Sequence, residues 1–309
     1  MADNDQVISA FAPAKINLYL HVTGRRADGY HTLDSLIAFA GLGDTVTVKP
    51  ANEISLEISG PLAGDVPTGG GNLVIKAARR LAEAAAIGSG AAITLTKRLP
   101  VGGGLGGGSA DAAAALGLLS RLWEAGMDNA QLMELGLELG ADVPVCLGGM
   151  SAVIGGVGED ITPTDPLPDC GLVLAYPEVS LATSEVFQAF AGPFSDRSPP
   201  QFTPQFTPME PCGDAASLAA MLKERRNDLT GAAIKLAPAV GEALRELQSL
   251  PGVLLARMSG SGATCFALFE DLGQARSAAA GLAARRPQWW VEAAPLLGGD
   301  ETMDKAGCA

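Results

Sequence analysis

Residues 101 to 111 read Val-Gly-Gly-Gly-Leu-Gly-Gly-Gly-Ser-Ala-Asp and hold six of the chain's 39 glycines, immediately before an alanine-rich run. Residues without a Cβ let consecutive backbone N–H groups close on an oxyanion, and a helix starting at that point adds the positive end of its dipole. The chemistry implied is the binding of a nucleotide polyphosphate. A flexible turn between a strand and a helix is the plainer explanation, but flexibility is a poor reason for six glycines at a helix start. A P-loop would require Gly-Lys-Ser/Thr at its end, and no lysine follows a glycine here. Gly102, Gly104 and Gly107 satisfy Gly-x-Gly-x-x-Gly, yet a dinucleotide turn should follow directly on a buried strand and precede an acidic residue by about 20 positions. Instead the strand Ala92 to Thr96 runs into Lys97-Arg98-Leu99-Pro100, and no suitable acid follows a second strand.

Four further segments carry residues capable of chemistry. Ala12-Pro13-Ala14-Lys15-Ile16-Asn17-Leu18 is a short apolar strand with one lysine and one asparagine on the same face. Gly24-Arg25-Arg26-Ala27-Asp28-Gly29-Tyr30-His31 joins cations to an aromatic and an imidazole. Gly140-Ala141-Asp142-Val143-Pro144 presents a carboxylate, and Met258-Ser259-Gly260-Ser261-Gly262-Ala263 is a glycine turn between two strands.

The string from Lys97 to Asp111 resembles the ATP-binding signature of the GHMP small-molecule kinases, Pro-x3-Gly-Leu-Gly/Ser-Ser-Ser followed by a helix. Gly107 and Gly108 depart from it, standing where hydroxyl residues are common, so Ser109 remains as the hydroxyl near the metal and phosphate oxygens. Taken together, the segments resemble the branch of that family that phosphorylates 4-diphosphocytidyl-2-C-methyl-D-erythritol in the non-mevalonate route to isoprenoid precursors. The resemblance runs through most of residues 10 to 295. Its most specific part is the pairing of Pro-Ala-Lys-Ile-Asn-Leu with Arg-x-Asp-Gly-Tyr-His.

The resemblance implies a set of roles. Asp142 would be the catalytic base, with Lys15 beside it and beside the reacting oxygen; an ammonium there favours an ionised carboxylate and can offset charge on phosphoryl oxygens. Lys97, Pro100, Gly102, Gly103, Gly104, Leu105, Gly106, Gly107, Gly108 and Ser109 would meet ATP. Asn17 would bond the methylerythritol part, Tyr30 would stack on the cytosine and His31 would hydrogen-bond its edge. Thr183 would touch the diphosphate or ribose, and Phe187 would form a second aromatic wall. Ser259, Gly260, Ser261 and Gly262 would fold back to steady the phosphate loop. Mg²⁺ is expected with ATP, although the chain supplies no dedicated metal cage. On the residues alone, Asp142 also reads as a helix-terminal carboxylate, Phe187 as core, and the 259–262 segment as an ordinary hairpin turn. His21 reads as a satisfied strand residue.

Positioning these residues requires a large core, and 309 residues at 48% hydrophobic composition can build one in two domains. A net charge of −13 disfavours nucleic acid and anionic membranes as partners. No stretch approaches 18 apolar residues and the first six residues are polar, so a cytoplasmic enzyme is expected. Five scattered cysteines, Cys146, Cys170, Cys212, Cys265 and Cys308, suit neither a metal site nor a disulfide framework. No oligomeric state is implied.

Alternation predicts strands over 46–48, 54–58, 93–96, 151–154, 172–175, 253–258, 264–269 and 289–293. Helices are predicted over 72–87 with Asn72 as cap, 109–125, 129–139 with Asn129 as cap, 215–223, 229–236, 240–250 and 272–284. Residues 192 to 211, with a tandem Gln-Phe-Thr-Pro, form a proline-rich surface excursion, and the residues after Gly298 form a frayed tail. The fold expected is α+β. The resemblance makes it the two-domain GHMP fold, with a ribosomal-protein-S5-like nucleotide-binding domain over 1–163 and a ferredoxin-like domain over 164–309.

Overall fold

The computed structural model describes residues 7–196 and 213–298, so most of the proline-rich excursion, the tail, Cys212 and Cys308 lie outside the described residues. Two long strands, β1 (Ile8–Arg25) and β2 (His31–Ala51), pair antiparallel from Ile8↔Val48 to Arg25↔His31. Only 46–48 was expected as strand in β2, which also runs through Gly41 and Gly43. These glycines mark close packing: a Cβ on Gly43 would lie 2.2 Å from the Ala12 carbonyl oxygen, so only glycine lets the strands meet there. β2 continues through bends at Asn52 and Glu53 to β3 (Ser55–Ser59), which pairs parallel to β4 (Gly90–Thr96).

Between them lies α1 (Leu73–Ala84), whose cap is Asn72 as expected: its side chain accepts from the Val74 N–H at 2.8 Å. α2 (Gly107–Leu122) starts two residues earlier than predicted. α3 (Asn129–Leu139) is capped by Asp128, not Asn129, in a reciprocal box with Gln131. α4 (Val143–Gly148) and the hairpin of β5 (Ala152–Gly155) and β6 (Asp160–Pro163) follow. α4 and β6 are too short to leave a periodic signal and were not foreseen. Helices α1 to α4 bury Val74, Leu81, Leu116 and Val143 with sheet residues Val46, Val48 and Ile93 in one core.

The second half runs β7 (Gly171–Tyr176), α5 (Thr183–Ala189), α6 (Ala215–Lys223), α7 (Thr230–Leu236), α8 (Pro238–Gln248), β8 (Leu255–Met258), β9 (Cys265–Phe269), α9 (Leu272–Arg285) and β10 (Trp290–Leu297). Its strands lie in the order β10-β7-β9-β8, all antiparallel. With helices after the first and third strands this is the ferredoxin-like arrangement expected. β10 also pairs with β2 at Leu296↔Ala40 and Leu297↔Phe39, joining both halves into one sheet. Ala14, Ile16 and Leu18 on one face of β1 pack with Leu172, Leu174, Phe266 and Leu268. That alternation turns Lys15 and Asn17 the other way. Among the described residues no helix is long and apolar enough to cross a membrane.

Candidate functional site

The glycine loop takes the positive φ values that favour glycine at Gly102 (69°), Gly104 (77°) and Gly106 (60°), the last being the cap of α2. Its carbonyls are held from behind. Gly103 O accepts from the Thr264 N–H at 3.0 Å, Gly104 O from Ser259 Oγ at 3.0 Å, and Leu105 O from the Lys15 N–H at 2.9 Å. A Cβ on Gly104 would lie 2.6 Å from Gly262 O and 2.8 Å from Ser259 O. The loop is therefore pressed directly on the 259–262 turn, in front of first-turn amides of α2 that have no intrahelical partner. Such a cradle receives an anion.

Beneath the loop sits a buried charge cluster. Lys97 Nζ donates to Asp44 Oδ2 at 2.5 Å and to Asp111 Oδ2 at 2.8 Å, with side-chain exposures of 3%, 0% and 4%. Asp44 Oδ1 accepts from the Arg98 and Leu99 N–H groups at 2.6 and 2.9 Å. Burial alone would lower the Lys97 pKa, but the two carboxylates outweigh it and leave it raised, so the ammonium is retained. Burial pushes the Asp111 carboxyl up, with Lys97 opposing and Asp44 adding to the rise. Asp111 Oδ1 has no hydrogen-bond partner.

Lys15 and Asp142, 127 residues apart in sequence, meet at 3.0 Å. Lys15 is buried on β1, whereas the Asp142 side chain is 46% exposed at the start of α4. Asp142 makes no side-chain cap bond to that helix. Its side chain is turned to Lys15 instead. Lys15 also donates to Asn17 Oδ1 at 3.1 Å, Asn17 Nδ2 donates to Ser35 Oγ at 2.8 Å, and the Asn17 N–H donates to Ser259 Oγ at 3.2 Å. The chain of bonds fixes the ammonium against the carboxylate and ties both to the turn behind the loop.

At the far end, Tyr30, 68% exposed, ends the bend joining β1 to β2, and His31 opens β2. The His31 ring stacks on Phe187 of α5 at 5.3 Å and 24°, and meets Phe190 edge-on at 6.1 Å. Burial, aided by Arg25, lowers the His31 pKa, so at neutral pH its ring offers one donor and one acceptor. Arg26 pairs with Asp28 at 2.8 Å on the exposed rim, and Arg98 is exposed. Thr183 Oγ1 and Ser261 Oγ share a hydrogen bond of 2.9 Å.

One cavity of about 1100 Å³ joins these parts. It is lined by Lys15, Asn17, Tyr30, His31, Lys97, all of Pro100 to Ser109, Asp142, Thr183, Phe187, Gly260 and Ser261. Ser259 and Gly262 lie behind the loop, not on the cavity wall. Lys97 reaches the cavity with its ammonium already engaged by two carboxylates. Asp44, Asp111, Ser35 and Phe190 escaped the sequence reading. For Asp111 a signal existed, an acid one helical turn after Gly107 on an otherwise alanine-rich face; for Asp44 and Ser35, inside an unrecognised strand, there was none. His21 is a buried strand residue, its Nε2 accepting from the Arg226 N–H at 3.3 Å. Cys146, Cys170 and Cys265 are free and buried.

Residues 72–150 match the family model for the GHMP kinases N terminal domain, and residues 209–288 that for the GHMP kinases C terminal domain. A Paramagnetospirillum magneticum protein called 4-diphosphocytidyl-2-C-methyl-D-erythritol kinase is 53% identical over 93% of this chain and 97% of its own. A Rhodospirillum rubrum protein of the same name is 48% identical over 95% and 94%. A crystal structure of 4-(cytidine 5'-diphospho)-2C-methyl-D-erythritol kinase superposes with a TM-score of 0.74 at 37% identity, covering 94% of this chain and 100% of that one. A homoserine kinase structure from Cytophaga hutchinsonii, at 17% identity and a TM-score of 0.69, shares the fold.

Proposed function

The chain belongs to the GHMP kinases, and within them to the 4-diphosphocytidyl-2-C-methyl-D-erythritol kinases; from that membership we propose that it transfers the γ-phosphoryl group of ATP to the C2 hydroxyl of 4-diphosphocytidyl-2-C-methyl-D-erythritol, in the non-mevalonate route to isoprenoid precursors. The observation that carries the site assignment is the Lys15–Asp142 pair at 3.0 Å, between the glycine cradle and the aromatic pocket of one cavity.

In this reading the cytidyl group enters between Tyr30, His31 and Phe187. The methylerythritol part then reaches Asn17 and Asp142, and the polyphosphate lies along Gly102 to Ser109. Asp142 takes the proton of the C2 hydroxyl as that oxygen bonds to the γ-phosphorus and the bond to the leaving ADP oxygen breaks. The half-exposed Asp142 carboxylate is open to a substrate hydroxyl, while buried Lys15 holds its orientation and faces the transferring group. Lys97 acts from below the loop, keeping the glycine segment seated over Asp44 and Asp111.

Mg²⁺ would offset charge on the polyphosphate. Among the described residues no group of three or more His, Cys, Asp or Glu is placed to hold a metal by itself. Phosphate oxygens would therefore carry most of its coordination, with Ser109 and the unpartnered Asp111 Oδ1 as the protein oxygens at hand. We read residues 1–163 as the nucleotide-binding half and 164–309 as the half that closes the base pocket, in a cytoplasmic enzyme. The test is ATP consumption by the purified protein with Mg²⁺ and the cytidyl substrate, the product mapped by phosphorus NMR beside mevalonate, homoserine and galactose. Phosphorylation at C2 of the cytidyl compound alone is expected; transfer to another alcohol would discard the base pocket.

A further inference from the structure

The segment Arg226-Asn227-Asp228 lies far from the loop and the base pocket in sequence, yet its side chains reach supports of both. It runs beside β1: Leu20 N–H donates to Arg226 O at 3.0 Å and Asp228 N–H to Leu20 O at 2.9 Å. From there Asn227 Nδ2 donates to Met258 O at 2.9 Å and Gly260 O at 2.8 Å, holding the turn that backs the phosphate loop. Asp228 points toward the other end. Its carboxylate is 4% exposed; Oδ2 accepts from the Val22 N–H at 2.8 Å and from Ser195 Oγ at 2.6 Å, and Oδ1 accepts from Arg226 Nε at 2.6 Å. The Ser195 N–H closes the clip by donating to Val22 O at 2.8 Å, and Arg226 Nη2 donates to Ser195 Oγ at 2.7 Å.

Past α5, which is capped by Phe190, the chain bends at Gly192 and reaches Ser195. Phe190 and Phe194 face each other at 6.3 Å, and a Cβ on Gly192 would lie 2.9 Å from the Phe190 ring, so the turn closes directly against that ring. Phe190 in turn lies edge-on to His31. Ser195 ties this segment to β1 twice, directly through its N–H to Val22 O and through its hydroxyl to Asp228, whose carboxylate takes the Val22 N–H in charge-assisted bonds.

We propose that Ser195 and Asp228 are positioning residues for the base pocket, clipping the 190–195 turn to β1 so that Phe190 walls the cytosine site beside His31. The inference rests on the kinase reading above and adds to it a fourth aromatic and the device that sets it. Because the two arms of the 226–228 segment diverge, loosening the Asp228 arm affects the pyrimidine end and leaves the Asn227 hold on the phosphate-loop turn in place.

The experiment compares wild type with Ser195→Ala, Ser195→Thr and Asp228→Asn. It reads kcat, KM for each substrate, and the inhibition constant of cytidine monophosphate as a probe of the pyrimidine end. Ser195→Ala is expected to raise both the KM for the cytidyl substrate and the inhibition constant of cytidine monophosphate by about tenfold, with kcat and the KM for ATP within about twofold. Ser195→Thr, which keeps the hydroxyl, should restore both, and Asp228→Asn should follow Ser195→Ala. Unchanged pyrimidine constants in Ser195→Ala overturn the proposal. A rise shared equally by the ATP constant, or a loss not restored by Ser195→Thr, also overturns it, since either marks general disruption. Wild-type protein that neither phosphorylates the cytidyl substrate nor binds cytidine monophosphate would sink the kinase reading itself.

Discussion

Replacing Lys97 with methionine removes the only cation of the buried Asp44–Lys97–Asp111 cluster while keeping the length of its stem. The loss comprises two charge-assisted bonds, at 2.5 and 2.8 Å, among side chains exposed by 4% or less. Two carboxylates are left facing each other without their cation, and breaking a buried charge set in this way costs about 3–5 kcal/mol. In a chain of 309 residues each kcal/mol moves Tm by roughly 2 °C, so the expected fall is about 6–10 °C near neutral pH. The deficit should also depend on pH. Without Lys97 the Asp111 carboxyl, already pushed up by burial and by Asp44, loses the cation that opposes that rise, so the folded state binds more protons than the unfolded one between the ordinary and the raised values. Stability is then lost as pH rises through that window, and the deficit shrinks on acidification from about pH 8 toward about pH 5. Melting followed by circular dichroism across that range measures it. Adding Asp111→Asn to Lys97→Met should recover part of the loss, because Asp44 keeps the Arg98 and Leu99 N–H groups. A fall below about 2 °C, or one equal at every pH, would refute the view of Lys97 as the clamp beneath the loop.

Asp142→Asn should leave the fold and both ligand affinities intact and lower kcat by at least about a hundredfold, as removal of a general base does; near-normal single-turnover rates would remove Asp142 from that role. Gly104→Ala forces a Cβ against two carbonyl oxygens at a φ of 77°. It should raise the KM for ATP far more than that for the cytidyl substrate, and equal effects on both would contradict the seating of the loop on the 259–262 turn. Because burial holds His31 below the usual histidine value, the KM for the cytidyl substrate should be flat at pH above about 6.5 and rise only below it. A rise beginning in alkaline solution would show that another group governs base binding. Tyr30→Ala should raise that KM by roughly tenfold, the value of one aromatic stack, and a constant KM would place Tyr30 outside the pocket.

Much of the chemistry could be read from contiguous residues, since its physical requirements are local. Six glycines around a helix start specify backbone approach to an anion whatever surrounds them, and i, i+2 spacing on a strand places Lys15 and Asn17 on one face. α1 was legible because a cap and an apolar stripe act within a few residues. Elements whose cause is remote were not. Most of β2 went unread, and the reason for its Gly43, the Ala12 carbonyl against it, belongs to another strand. α4 is held by packing of Val143 to Leu147 and β6 by its pairing with β5, causes that lie outside their own few residues.

By its sequence alone the chain determined that a phosphate cradle exists, which segments carry the reactive side chains and which family they resemble. Tertiary structure decided the rest. It set Asp142 at 3.0 Å from Lys15 across 127 residues, gave Lys97 two buried carboxylates as partners, and brought Phe190 to His31 through a clip from Asp228. Hydrogen bonds and charge pairs act over a few ångströms. Only the folded sheet and its packed helices determine which distant residues fall within that range.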